Sequence, residues 1–332
     1  MKIHFIEKNP NDNVGSYRIW IKDLSKTLAD LGHDISMTKR IRGAVPDVDT
    51  IIFSKTSYRD IENIKGSLPA GVKIGAINIP CDYRNSKIDF VIVGSHVERV
   101  SMSYYGNVFV YPLIERKFMD LPRKIHRNSN KIRLCFHGHY PHLSKFFPHL
   151  QSAIEALSKK IETELILITG NANFTWTKKL GMPEGINVEH HAYNDCTFSD
   201  ILQSCDIGLV PNVSDILAVT PQLKGLTSVD CGLYDTDFFM RYKNKTNSGR
   251  SYVFYQHGIP VIHDLSPSNF EFMGKTGRYS CAHDANSWFR ELTKFLDPDL
   301  RQQEADINKK VFEDHFDPPT HAENLIDFIN KI

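Results

Sequence analysis

Short apolar runs alternate with segments whose apolar positions recur every three or four residues, from one end of the chain to the other. That alternation predicts parallel α/β layers. In the first part the strand-like runs are KIHFIE, DISMT, DTIIFSK, VKIGAINIP, DFVIVGS and NVFVYPL. A helix is predicted from about Ser16 to Leu31, where Ile21, Leu24, Leu28 and Leu31 share a face and Gly32 closes the last turn. Residues 120–130, DLPRKIHRNSN, are polar, basic and without period, and read as a linker. A second α/β series then begins afresh: KIRLCFHG, a helix over Phe146–Lys159, ELILITG, INVEHHA, a helix near Phe198–Cys205, DIGLVPN, a helix near Ser251–Gln256, and IPVIHD. From about Leu300 the chain reads as helix, interrupted at Pro318-Pro319.

The 332 residues are 41% apolar and 24% charged, a globular composition long enough for two domains. No apolar run approaches the roughly 20 residues of a membrane-spanning helix. The opening MKIHFIEK has no long apolar stretch of the secretory kind and reads as a first strand. Six cysteines stand scattered without a CxxC pair, which argues against a zinc knuckle or a disulfide framework. These features predict a cytoplasmic protein.

Net charge is +1, but unevenly spread. Residues 1–127 hold 20 Lys and Arg against 14 Asp and Glu, and the remainder holds 20 against 25. The basic first part suggests an anionic acceptor or a peripheral contact with a membrane surface; the alternative is dispersed, solubilising charge. No stripe of interleaved basic and aromatic residues points to nucleic acid.

At the second series the order of motifs resembles the nucleotide-sugar-binding half of GT-B glycosyltransferases. GINVEHHAYNDCTFSDILQSCDIGLVPN, Gly185 to Asn212, is similar to that family's strand, loop, short helix and Asp-led strand ending in Pro. RYKNKTNSGRSYVFYQHGIPVIHD resembles its donor block, a basic Asn/Ser loop opening a helix that ends in Gly-x-Pro-Val-Ile. NVGSYRIWIKDLSKTLADLGHDI resembles the opening loop, helix and Gly-His turn of its first domain. The glutamate pair that large retaining families carry ahead of Gly-x-Pro-Val-Ile is replaced here by Lys245 and Val253. The resemblance implies two Rossmann-like parallel-sheet domains, residues 1–125 for the acceptor and 130–310 for the donor, with 311–332 a C-terminal helix crossing back to the first. It implies transfer of a sugar from a nucleoside-diphosphate sugar to a hydroxyl, in bacterial surface polysaccharide or glycolipid synthesis, with no cofactor beyond the donor. A nucleotide-sugar epimerase of the same fold and a non-catalytic nucleotide- or glycan-binding protein are the alternatives.

Lys245, Asn247, Ser248, Gly249 and Arg250 precede a helix whose free N–H groups attract anions, so this loop is the candidate diphosphate cradle. Gly138 and Lys145, in the loop after KIRLCFHG, are the second candidate contact, with a structural turn as the competing reading. His137, His139 and His142 match no zinc spacing. Asp235-Thr236-Asp237 invites a metal, but it follows Cys-Gly-Leu-Tyr rather than a buried strand. No metal is therefore expected. His139, His191 and Asp237 are candidates for the donor's sugar or nucleotide, and Asn13, Gly15 and Ser16 for the acceptor. Proton removal from the acceptor hydroxyl calls for a carboxylate or imidazole, and Asp82 and His96 follow first-domain strands as the reachable types.

Overall fold

The computed structural model describes residues 1–41, 47–64, 69, 71–80, 82–139, 141–144, 149–170, 175, 177, 181–211, 247–264 and 266–332. The chain divides into two compact units. The first comprises Met1–Met119, Asn247–Gly249 and Asp314–Ile332, and the second Asp120–Thr246 and Arg250–Glu313.

In the first unit, β1 (Lys2–Ile6), β2 (Asp34–Thr38), β3 (Thr50–Phe53), β4 (Lys73–Ile77), β5 (Phe90–Val93) and β6 (Val108–Val110) form a parallel sheet in the order β2-β1-β3-β4-β5-β6. β3 and β5 are buried throughout, which is why they read as unbroken apolar runs rather than alternating ones. The predicted first helix is α1, built from Gly15–Tyr17, Arg18–Asp23 and Leu24–Asp30 without a break, its middle segment π-helical. There Ile19, Trp20 and Ile21 are buried in succession, more than one α-helical stripe admits. The wider π turn brings Trp20 onto the sheet, where its Nε1 donates to the Tyr111 carbonyl at 3.2 Å.

The C-terminal α10 (Pro318–Lys331) buries Ala322, Leu325 and Ile329 in the core of this unit, against α1. The helical stretch read from about Leu300 is interrupted just ahead of the two prolines, which open its second part. The Asp317 carboxylate accepts from Thr320 N at 2.9 Å as an N-cap, and proline tolerates the first helical positions because their N–H groups have no helical partner.

The second unit has β7 (Lys131–Gly138), β8 (Glu162–Thr169), β9 (Asn187–Ala192), β10 (Ile207–Val210), β11 (Val261–Asp264) and β12 (Cys281–Ala282) in the order β12-β11-β10-β7-β8-β9, all parallel. In chain order α2 (His96–Ser101) lies in the first unit, and α3 (Pro141–Ser144), α4 (His149–Ser158), α5 (Phe198–Gln203), α6 (Gly249–Gln256), α7 (Pro267–Thr276), α8 (Ala285–Lys294) and α9 (Pro298–His315) follow. α4 and α8 pack together over the sheet through Leu150, Ile154, Leu157, Trp288 and Leu292. Within α6 every residue from Ser251 to Gln256 is buried, so this helix is internal rather than amphipathic.

Residues 120–130 are not a free linker. His126 is buried and its Nε2 donates to the Gly258 carbonyl at 2.9 Å, Lys124 reaches the Gln203 carbonyl, and Arg123 pairs with Asp306 at 2.5 Å. Polar composition disguised the packing because each side chain finds its partner far along the sequence. Among the described residues no helix is long and apolar enough to cross a membrane.

Candidate functional site

Each sheet has a point where the chain reverses its direction of travel across the strands. In the second unit β7 is flanked by β8 on one side and β10 on the other; in the first, β1 is flanked by β2 and β3. Loops leaving the carboxyl ends of strands at such a point diverge and leave room for a ligand.

At the β7–β10 point three separate stretches of sequence meet. Gly138 ends β7 with φ +127°, and a Cβ placed on it would lie 2.9 Å from Arg250 Cδ. Arg250 Nη2 donates to the carbonyl of Pro211, just past β10, at 3.0 Å. His137 Nε2 donates to the Arg250 carbonyl at 3.0 Å, and its ring packs edge-on against Phe198 and Phe254. Only glycine allows both the backbone angle and the close approach of the arginine. Burial lowers the Arg250 pKa to about 10, against the opposing pull of the Asp264 carboxylate, so the guanidinium is cationic at neutral pH. Arg250 also sits in the first turn of α6, where backbone N–H groups lack helical partners. The arrangement provides a positive charge at a helix start, seated against the backbone of Gly138.

Behind this corner, His263 of β11 lies between Ser251 Oγ, at 3.1 Å, and Tyr255 OH, at 2.7 Å. Burial pushes its pKa down to about 3, so the ring is neutral and serves to anchor α6 to the sheet.

The structure thus brings Gly138 and Arg250 together. Lys145, Asp237 and Lys245 lie outside the described residues. Asn247, Ser248 and Gly249 group with the first unit, where Asn247 Nδ2 stands 3.5 Å from Glu98 Oε1 and Ser248 is buried. A Cβ on Gly249 would meet Leu113 Cβ at 3.0 Å, so this glycine too serves a close approach. His139 is exposed, its ring 6.4 Å from that of His142. His191 is on β9, two strands from β7, with its Nε2 2.8 Å from Glu189 Oε1.

In the first unit a cavity of about 450 Å³ opens at the β1–β3 point. Ser16 lines it, as do Glu7 and Lys8 beyond β1 and Lys55 beyond β3. Gly15 starts α1, its Cα side 3.7 Å from Arg18 Nη2 measured at an added Cβ, and Asn13 is exposed with its N–H donating to Asn11 Oδ1 at 2.9 Å. Arg18 forms a two-pronged pair with Glu115, at 3.1 and 2.5 Å. Asp82 is exposed in the turn after β4, and His96 is the exposed first residue of α2. The N-cap of α2 is Ser95, which accepts from Glu98 N at 3.1 Å, while Glu98 Oε2 accepts from Gly94 N at 2.7 Å.

Sequence reasoning missed Glu7, Lys8, Lys55 and Pro211. The signal was present in the polar residues closing KIHFIEK and DTIIFSK, but their convergence depends on strand order. Some of the basic groups of residues 1–127 are committed to ion pairs: Arg116 pairs with Asp30 at 2.7 Å and Arg123 with Asp306.

Two six-stranded parallel sheets with helices, one per unit, define an α/β architecture of two Rossmann-like domains, and the chain has the GT-B fold. Solved structures similar to it along its whole length include glycosyltransferases. HepE from Anabaena, in complex with UDP, superposes with a TM-score of 0.63 at 11% identity, over 100% of both chains. AviGT4, from avilamycin A biosynthesis, gives 0.60 at 14% identity over 100% of this chain and 97% of its own. A glycosyltransferase from Rickettsia africae gives 0.62 at 12% identity over 99% and 98%. No family model matches the sequence, and no curated protein matches it.

Proposed function

We propose that this chain is a glycosyltransferase that moves a sugar from a nucleoside-diphosphate sugar to a hydroxyl of a glycan or glycolipid, in the making of a bacterial surface polysaccharide. The observation that carries the reading is the Gly138–Arg250 corner at the switch point of the second sheet. Glycosyl transfer builds negative charge on the departing diphosphate. A cation fixed in advance beside helix N–H groups stabilises that charge without having to reorganise. Arg250 meets this need, and Lys245 with Asn247, Ser248 and Gly249 are the proposed further contacts in its loop. Lys145 is the proposed cation following Gly138.

On this reading His139, His191 and Asp237 are proposed contacts of the donor's sugar and nucleotide, and Asn13, Gly15 and Ser16 of the acceptor. Asp82 or His96 takes the acceptor's proton. The reaction is proposed to need no metal and no cofactor, because cationic side chains and backbone amides supply the leaving-group stabilisation. The test is incubation with UDP-, GDP- and ADP-sugars and hydroxylated acceptors, followed by mass spectrometry. An acceptor heavier by one sugar residue, formed with release of the nucleoside diphosphate, is expected. A donor isomerised with every acceptor unchanged would replace transfer with epimerisation.

A further inference from the structure

The first unit's cavity has a composition that the donor chemistry does not use. Strands β2, β1 and β3 are neighbours, with Ile6 in register with both Thr38 and Phe53. One or two residues beyond those aligned ends stand Lys39, Lys8 and Lys55, and all three line the cavity. Neighbouring strands are about 4.8 Å apart, so three ammonium groups issue from one short edge. Lys8 is held by Asp60 at 2.6 Å. Lys39 and Lys55 are exposed and make no ion pair among the described residues. Like charges gathered on a concave surface raise the local concentration of anions.

Glu7 adds the opposite requirement at the same place. It is buried, and its Oε1 accepts from Asn9 N at 2.7 Å and from Thr56 Oγ1. Oε2 has no hydrogen bond among the described residues. A carboxylate oxygen in that state accepts from a ligand hydroxyl. Trp20 and Ile21 give the remaining wall an apolar surface. The volume of about 450 Å³ lies within the range of about 300–1,000 Å³ typical of small-molecule sites.

We propose that this cavity binds a hydroxylated molecule carrying a phosphate, with Lys39 and Lys55 on the phosphate and Glu7 Oε2 on a hydroxyl. Naming that molecule as the acceptor rests on the glycosyl-transfer reading; the binding itself does not. The phosphate belongs either to a soluble sugar phosphate or to a lipid headgroup, and the two sources are separable.

The experiment titrates the full chain, without nucleotide, with glucose 6-phosphate, glucose and inorganic phosphate by calorimetry. In parallel it is sedimented with phosphatidylcholine vesicles with and without phosphatidylinositol. Saturable binding of glucose 6-phosphate, at least about tenfold tighter than of glucose or phosphate alone, is expected for a soluble ligand, the factor 1.4 kcal/mol represents. Sedimentation that requires phosphatidylinositol is expected for a lipid-borne one. Either binding should weaken about tenfold or more in the Lys39→Ser/Lys55→Ser variant, and Glu7→Gln should weaken the hydroxylated ligand but not inorganic phosphate. No binding in either arm, or binding unaltered by the lysine substitutions, overturns the proposal. Sugar transfer in a protein that binds neither ligand would overturn this inference and leave the proposed function standing. Phosphate-ligand binding without any nucleotide binding would do the reverse.

Discussion

Replacing Gly138 by alanine should damage the second unit through Arg250, and the size of the effect can be worked out. The backbone at φ +127° is open to glycine and strained for alanine, a cost of about 1–3 kcal/mol. The new Cβ would meet Arg250 Cδ at 2.9 Å, whereas carbon atoms in contact prefer about 3.5–4.0 Å. The arginine is the more flexible partner and is pushed aside, which breaks its 3.0 Å bond to the Pro211 carbonyl. A hydrogen bond to a charged group contributes about 1.5–3 kcal/mol. A double-mutant cycle separates the two parts. With Arg250→Ala already in place, Gly138→Ala should cost only the backbone part, so the double variant should be more stable than the sum of the singles by about 1.5–3 kcal/mol. Urea unfolding of the four proteins measures this, and nucleotide affinity should fall alongside in both single variants. Simple additivity within about 0.5 kcal/mol would refute the contact as the route of the effect.

Three further outcomes follow from the same structure. Arg18→Ala leaves the buried Glu115 carboxylate without its two-pronged partner and should cost about 3–5 kcal/mol, much of it recovered in Arg18→Ala/Glu115→Gln; equal losses in the single and double variants would contradict this. Burial lowers the pKa of His263 to about 3 and of His126 to about 4, so the unfolded chain binds more protons than the folded one once pH falls below about 6.5. Stability should therefore drop from pH 7.5 to 5.5 by about 1.4 kcal/mol for each histidine, and His263→Phe should flatten the dependence measured by chemical unfolding. Sugar transfer should survive EDTA, and loss of turnover restored by manganese or magnesium would reinstate a metal at Asp235 and Asp237.

The strands were legible because both faces of a parallel sheet are covered, which turns β3, β5, β8 and β10 into plain apolar runs. α1 was legible by its period, but its π turn was not: Ile19 and Trp20 add to the face defined by Ile21, Leu24 and Leu28 only once the helix widens. The two-residue β12 carries too little pattern to be seen, whereas α9 was legible as the helix read from about Leu300. Residues 120–130 looked like a linker because Arg123 and His126 find Asp306, Gln302 and Gly258 across more than a hundred positions of sequence. The site divides in the same way. A basic Asn-Ser-Gly-Arg loop before a helix reads as a candidate anion site from local sequence alone. That Gly138 must be glycine because Arg250 lies against it, and that Lys8, Lys39 and Lys55 share an edge, are facts of strand order.

The central claim, that a nucleoside diphosphate seats on Arg250 beside Gly138, is tested most directly by calorimetric titration of UDP, GDP and ADP into the wild-type chain and into Arg250→Ala. One of the nucleotides should bind saturably to the wild type. Its affinity should fall by roughly 10- to 150-fold in a variant that remains folded, the factor that 1.5–3 kcal/mol represents. Absence of binding by all three, or an affinity unchanged by the loss of the guanidinium, would contradict it.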